Sequence, residues 1–299
     1  MSEEHPQPRV AWVKLAFRPP TEAFIADQLK LLRRYDPLVL TLDAPEAIDL
    51  PPGVVCSLER ANPVTRGLNR LTLRVSHSVP FFVGQVRRER CRLVHAQSGL
   101  ESTYAMALAR RVRLPLVTTF RDGDARRAAQ RQRRAYERLF SQGQLFLADA
   151  RAVCRDLLDL GCPEDRLRVH YPGIDLERIP FTVRRPERRG PVNVLVVGRM
   201  VQRKGICYAL QAFASVRRYQ RRLSLTLIGD GPERRAIGAL LRELDLPDVR
   251  MLGWQSHDGV LAEMQRAHIY LQPSVTAPDG DVEGIPMALV EAQASGLPV

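Results

Sequence analysis

The sequence predicts an α/β fold built on parallel sheets, and three observations carry that expectation. Short β-branched or apolar runs alternate with segments of helical period along the whole chain. The alternation begins a second time after a charged stretch bracketed by prolines. A glycine turn at Gly198 directly follows an apolar run and directly precedes a helical pattern, which is how a parallel sheet feeds its crossover helices.

The first series reads as a strand over 10–17, a helix over 22–34 and a strand over 38–42. A strand over 92–95 then leads into a helix over 102–111, one over 116–119 into a helix near 125–140, and one over 145–148 into 153–160, with 168–170 closing the series. The stretch Arg184-Arg185-Pro186-Glu187-Arg188-Arg189-Gly190-Pro191 has the composition of an exposed linker. Beyond it, strands are expected over 192–197, 223–228, 249–252 and 269–271, with helices over 206–217, 233–244, 257–267 and 286–295. The final Leu297-Pro298-Val299 reads as the start of another strand. A single core seldom grows beyond ~250–300 residues, so the 299-residue chain suits two domains, placed at 10–185 and 191–299.

Composition narrows the function classes. Hydrophobic residues at 45% are enough for a real core, which excludes a disordered chain. No apolar run approaches the ~18 residues a bilayer span needs, and the N-terminus lacks a basic-then-apolar leader pattern, so a cytoplasmic location is expected. Five cysteines, an odd count without a C-x-x-C pair, fit reduced thiols, and no metal site is implied. A net charge of +12 draws anions: nucleotide phosphates, acidic headgroups or nucleic acid.

Three constellations carry chemistry. In the first, Gly198 lets backbone approach a ligand while Arg199 and Lys204, beside a helix start, offer positive charge to a diphosphate. In the second, Gly229-Asp230-Gly231-Pro232 forms a turn into the next helix, with Pro232 suited to its first turn. The third is Glu283-Gly284-Ile285-Pro286-Met287 running on to Glu291. Its two glutamates stand eight positions apart across a loop and a helix start, and such a pair can hold vicinal hydroxyls beyond the carboxyl ends of the strands. Solvated surface bases, a plain βα turn and two surface carboxylates are the structural alternatives for the three.

Taken together these residues resemble the family 4 retaining glycosyltransferases. The glutamates match the family's E-x7-E motif, Gly198-Arg199 with Lys204-Gly205 its donor-phosphate loop, and Gly229-Asp230-Gly231-Pro232 the following turn. The run 273–281 ahead of Glu283 is similar to the subgroup that builds bacterial exopolysaccharides, colanic-acid enzymes among them. In the first half, Thr21-Glu22-Ala23-Phe24-Ile25 is similar to the family's S-E-T-F-I acceptor-side loop and His95-Ala96-Gln97-Ser98-Gly99 to its H-A-H-F-G. Gly161-Cys162-Pro163 is similar to the family's G-x-P, and Tyr171-Pro172-Gly173-Ile174-Asp175 to its N-G-I-D. Where the family reads T-F-H-G-x-D, this chain has Thr119-Phe120-Arg121-Asp122-Gly123-Asp124, and Gln97 replaces a second histidine. Those departures imply either tuning to another substrate or absence of the usual histidine role.

The resemblance implies a GT-B architecture, two Rossmann-like domains facing a cleft. It implies a metal-independent hexosyltransferase that takes a nucleotide-diphosphate sugar as co-substrate, with no cofactor, and extends a glycan or lipid-linked acceptor. Arg199, Lys204 and Glu283 take the catalytic roles. Gly198, Gly229, Gly284, Ile285, Pro286, Met287 and Glu291 bind the donor, and Glu22, His95, Arg121 and Asp124 lie on the acceptor side. Family members continue past Val299, so the second domain is expected to be incomplete here, and an inactive fragment is one rival reading. A GT-B nucleotide-sugar epimerase is another, which the first-half motifs disfavour.

Other signals point elsewhere or nowhere. Asp279-Gly280-Asp281 has the form of a D-x-D metal clamp but stands inside the E-x7-E segment, which accounts for it without a metal. The six histidines show no pair at ligand spacing on one helix. Residues 66–82 mix Arg66, Arg70 and Arg74 with Leu71, Leu73, Val75, Val79, Phe81 and Phe82. That mixture suits either a helix packed on the sheet or peripheral contact at the inner face of a membrane. Arg126, Arg127, Arg131, Arg133, Arg134 and Arg138 lack interleaved aromatics, so no nucleic-acid partner is expected.

Overall fold

The computed structural model describes residues 7–16, 23–43, 50, 53–121, 132–184 and 190–299. The chain divides into two compact units, Met1–Gly173 and Ile174–Val299. The segment from Ile174 to Arg184 goes with the second unit because its side chains are anchored there. Ile179 is buried in that unit's core, and the Arg184 guanidinium donates to the carbonyls of Met264 (2.8 Å), Ala267 (3.3 Å) and Ser295. Charge composition drew the boundary later because it cannot register such anchoring; residues 185–189 of that linker lie outside the described residues.

The first unit holds a seven-stranded, all-parallel sheet of order β3-β2-β1-β4-β5-β6-β7. Its strands are β1 (Arg9–Val13), β2 (Asp36–Thr41), β3 (Val55–Ser57), β4 (Leu93–Ala96), β5 (Leu116–Phe120), β6 (Leu145–Ala148) and β7 (Leu167–Val169). The helices are α1 (Ala23–Lys30), α2 (Pro63–Ser76), α3 (Pro80–Arg88), α4 (Gly99–Val112), α5 (Arg133–Gln142) and α6 (Arg151–Asp159). Central strands buried on both faces need continuous apolar runs, and Val10–Val13 and Leu38–Leu40 supply them. Val10, Trp12 and Val39 close one face with Ile25 and Leu29 of α1.

Several details depart from expectation. The short β3 has only three residues and no alternation to announce it. Residues 66–82 form two helices rather than one, because His77 takes a left-handed conformation (φ 52°) and Pro80 opens a new first turn. Helix α4 also starts earlier than expected, at Gly99, because Ser98 caps it by accepting from the Glu101 amide (3.2 Å).

The second unit has a four-stranded parallel sheet of order β10-β9-β8-β11. Its strands are β8 (Val192–Val197), β9 (Leu223–Ile228), β10 (Val249–Gly253) and β11 (Ile269–Tyr270). The helices are α7 (Ile206–Arg217), α8 (Arg234–Glu243), α9 (His257–Arg266) and α10 (Met287–Ala294). Along β8 the period-two rule sorts side chains: Val194 and Val196 join α7 and α8 on one face, Leu195 joins α9 and α10 on the other. The Tyr270 amide donates to the Pro298 carbonyl (2.8 Å), so the terminal residues run beside β11.

In each sheet the strand order reverses next to the first strand of the series: between β1 and β4, and between β8 and β11. Such a reversal opens a crevice at the carboxyl ends of the strands, the place where open α/β sheets bind ligands.

Candidate functional site

At the reversal of the second unit, two turns meet backbone to backbone. Gly229 has φ 135°, and a β-carbon there would stand 1.9 Å from the Gly198 carbonyl oxygen, so only glycine fits. Gly205 (φ 62°) closes the 3-10 turn Gln202–Lys204, and a β-carbon there would stand 1.9 Å from the Pro273 carbonyl oxygen. The Val275 amide donates to the Arg203 carbonyl (2.9 Å), tying this turn to the segment after β11.

That tie brings opposite charges together. Lys204 Nζ lies 2.8 Å from Glu283 Oε2, both side chains nearly buried at 13% and 11% exposure. Arg203 reaches both carboxylate oxygens of Asp281 (3.1 and 3.2 Å). Its Nε stands 3.9 Å from Glu283. A polar chain runs beneath: the Tyr270 hydroxyl is shared between the Val197 carbonyl (3.2 Å) and Gln272 Oε1 (2.8 Å), and Gln272 Nε2 donates to Ser274 Oγ (2.7 Å). Burial pushes the Tyr270 phenol up, and the negative charges of Glu291 and Glu283 push it further, so it stays neutral. Glu291, on the second turn of α10, has its Oε1 3.1 Å from Nε2 of His257, the first residue of α9.

Arg199 differs from its neighbours. It is half-buried, and its buried Nε has no hydrogen-bond partner among the described residues, an unsatisfied cationic donor at the end of β8. Beside it, Gly198 leaves room for the Lys204 stem, whose Cδ would lie 3.2 Å from a β-carbon there. Gly284, Ile285, Pro286 and Met287 are all half-buried and lead into α10, whose first turn has no side-chain cap.

The structure therefore gathers Gly198, Lys204, Gly229 and Glu283 directly, and joins Glu291 to them through the field it shares with Tyr270 and Glu283. Sequence reasoning missed Arg203, Tyr270, Gln272, Ser274 and His257. Asp281 entered as half of a metal clamp and as the end of the 273–281 run; in the structure its carboxylate is engaged by Arg203. The order of β11 beside β8 explains these omissions apart from His257, because it brings 270–283 against 198–205 across a long sequence gap.

The reversal in the first unit is built differently. His95, in register with Trp12, packs against its indole with ring centroids 4.9 Å apart and has Nε2 2.8 Å from Thr119 Oγ1. Loss of water around the imidazole, helped by the positive charges of Arg121 and His170, pushes its pKa down to about 3. Arg121 donates to the amide oxygens of Gln97 (3.1 Å) and Gln28 (3.2 Å). Gln97 is buried, and its Nε2 has no hydrogen-bond partner among the described residues. Lys14 and Glu101, both buried, pair at 3.2 Å, and the Leu15 amide also donates to Glu101 (3.2 Å). Nothing in the sequence singled out Lys14, Gln28 or Glu101. Glu22 and Asp124 lie outside the described residues, as do Arg126, Arg127 and Arg131.

Residues 25–178 match the family described as Glycosyltransferase Family 4, and residues 182–299 match Glycosyl transferases group 1. The chain belongs to glycosyltransferase family 4. Among the family's curated members it is 33% identical over 205 residues to the amylovoran biosynthesis glycosyltransferase AmsK of Erwinia amylovora, across 66% of this chain and 50% of that one. It is 34% identical over 166 residues to the putative colanic acid biosynthesis glycosyltransferase WcaL of Escherichia coli K12, across 55% and 40%. The matches thus span half or less of these relatives' length. Among solved structures, Anabaena Alr3699/HepE in complex with UDP and glucose superposes with a TM-score of 0.72 at 18% identity, covering 98% of this chain and 80% of that one. Sucrose-phosphate synthase from Thermosynechococcus elongatus gives 0.68 at 18%, covering 98% and 80%. This family 4 chain therefore has the GT-B fold.

Proposed function

We propose that the protein is a retaining hexosyltransferase of exopolysaccharide synthesis, moving a sugar from a nucleotide-diphosphate donor to a lipid-linked or polysaccharide acceptor. The observation that carries the proposal is the partly buried Lys204–Glu283 pair set beside an unsatisfied Arg199 donor on glycine-only turns. The carboxylate and cations of this arrangement suit a donor with sugar hydroxyls at one end and a diphosphate at the other. That relatives include exopolysaccharide enzymes, and that a structural neighbour holds UDP and glucose, supports the same reading.

In this mechanism an acceptor oxygen attacks the anomeric carbon on the face from which the diphosphate leaves. The leaving oxygen takes the bonding pair, and the acceptor proton passes to it. Arg199 and Lys204 stabilise the charge that builds there, an effect that is strongest when the donors are fixed beforehand. Glu283 and the backbone around Gly284–Met287 hold the sugar, and Glu291, oriented by His257, holds ribose hydroxyls. His95 and Arg121 face the acceptor, with neutral His95 able to accept or donate a hydrogen bond but not to carry charge near neutral pH. The chemistry needs no metal, and the enzyme works in the cytoplasm at the inner face of the membrane. Among the described residues no helix is long and apolar enough to cross a membrane.

The test is transfer from UDP- and GDP-hexoses onto membrane lipid extracts, with the anomeric configuration of product read by NMR. Retained configuration, lost with Glu283→Gln, is expected; an inverted product would overturn the mechanism, and turnover insensitive to Glu283→Gln would overturn the site.

A further inference from the structure

Helix α2 turns an apolar stripe to solvent. Val64, Leu68, Leu71 and Val75 recur at helical spacing and are 72%, 61%, 61% and 78% exposed. The orientation is fixed rather than frayed, because the opposite face is anchored. Buried Asn69 donates from Nδ2 to the Thr65 carbonyl (2.8 Å) and accepts at Oδ1 from the Phe81 amide (2.9 Å), which locks α2 to the start of α3. Asn62 caps one end by accepting from the Thr65 amide (2.9 Å), and at the other the His77 ring lies 5.1 Å from that of Tyr104 on α4.

The surroundings are basic. Residues 59–92 hold eight arginines and two glutamates, a net +6 that is half of the chain's +12. Helix α2 has no acidic residue at all. Both glutamates are already engaged, Glu59 by Arg66 and Arg70, Glu89 by Arg9 and Arg88. Arg60, Arg70, Arg87, Arg88 and Arg90 are exposed.

We propose that α2 is an in-plane docking helix for a bilayer surface containing anionic lipid, its aliphatic stripe entering the headgroup boundary while the surrounding arginines meet the lipid charge. A second copy of the chain is a poor occupant, since it would bring another +6 face against the first. Nucleic acid is a poor one too, because the stripe has no aromatic ring on which a base can stack. This inference stands apart from the donor-site reading and is tested without any transfer reaction.

The experiment is flotation of the full chain with vesicles of phosphatidylcholine alone and of phosphatidylcholine and phosphatidylglycerol in equal amounts. The protein is expected to float with the anionic vesicles only, and less as salt is raised. The double substitution Leu68→Ser/Leu71→Ser should weaken that partitioning at least about tenfold with an unchanged melting temperature. Val75→Ser, at the most exposed position of the stripe, should act in the same direction. Absence of flotation with anionic vesicles, or a double variant that floats as well as the parent, would overturn the proposal. So would a parent dimer that the double variant converts to monomer while neither floats.

Discussion

At the β8/β11 reversal the side chains are charged and paired across loops, Lys204 with Glu283 and Arg203 with Asp281, while at the β1/β4 reversal the amides of Gln28 and Gln97 face Arg121 and an uncharged His95 packs on Trp12. The first unit also holds a charged pair, Lys14–Glu101, set between the residue after β1 and the first turn of α4, where Glu101 also receives the Leu15 backbone amide. The two pairs are almost equally buried, at 10% and 7% exposure for Lys14 and Glu101 against 13% and 11% for Lys204 and Glu283, so depth does not separate them; their surroundings do, a second cation (Arg203, 3.9 Å from Glu283) in one and a backbone amide on Glu101 in the other. On the proposed function the second-unit pair opens for a charged ligand, whereas the first-unit pair, whose carboxylate also holds the Leu15 amide, serves the fold.

Substitutions can break that contrast, beginning with the largest expected effect. Gly229→Ala should destabilise the second unit by more than about 4 kcal/mol, since the added carbon meets the Gly198 carbonyl at 1.9 Å and the φ of 135° disfavours any side chain. Gly67→Ala, on α2 with open space around the new carbon, should instead stabilise by roughly 0.5 to 1 kcal/mol. Denaturant melts of the two variants read both signs.

Next comes Glu101→Ala, expected to cost about 3 kcal/mol or more by leaving Lys14 buried without this carboxylate. Glu283→Gln should behave in the opposite way, leaving the melting temperature close to the parent's while lowering turnover about 100-fold through misplacement of the sugar. If both variants lost stability equally, the division between structural and exchangeable pairs would fail.

A pH-dependent effect sharpens the reading of His95. Its pKa of about 3 in the fold lies below the ordinary 6.5, so between those values the unfolded chain binds a proton that the fold does not. The stability it lends is complete above about pH 6.5 and is lost as pH falls towards 3, at up to about 1.4 kcal/mol per pH unit. His95→Gln should flatten that part of the stability-against-pH curve.

How far each region was legible in the sequence follows from the same contrast. Apart from the short β3, the strands of both sheets announce themselves because buried parallel strands are apolar runs, and Gly198, Gly229, Lys204, Glu283 and Glu291 stand in short motifs with local spacing. His257 and Tyr270 do not, since each acts on a partner from another loop and nothing local marks the meeting. Arg203 was overshadowed by Lys204 although it neighbours the same carboxylate, Glu283, and pairs with Asp281 as well. In the first unit the pairing of Lys14 with Glu101 depends on β1 lying beside β4, a register that composition does not encode. The break between α2 and α3 had a local signal in Pro80, but the outward direction of the α2 stripe did not, because an apolar helical face reads the same whether it meets a core or a membrane.

Calorimetric titration of UDP and GDP into the full chain, beside Arg199→Ala and Glu291→Ala, tests the donor site most directly. Saturable binding of one nucleotide, weakened roughly 10- to 100-fold in each variant, is the predicted result. Folded protein that binds neither nucleotide, or binds one equally well in both variants, would contradict it.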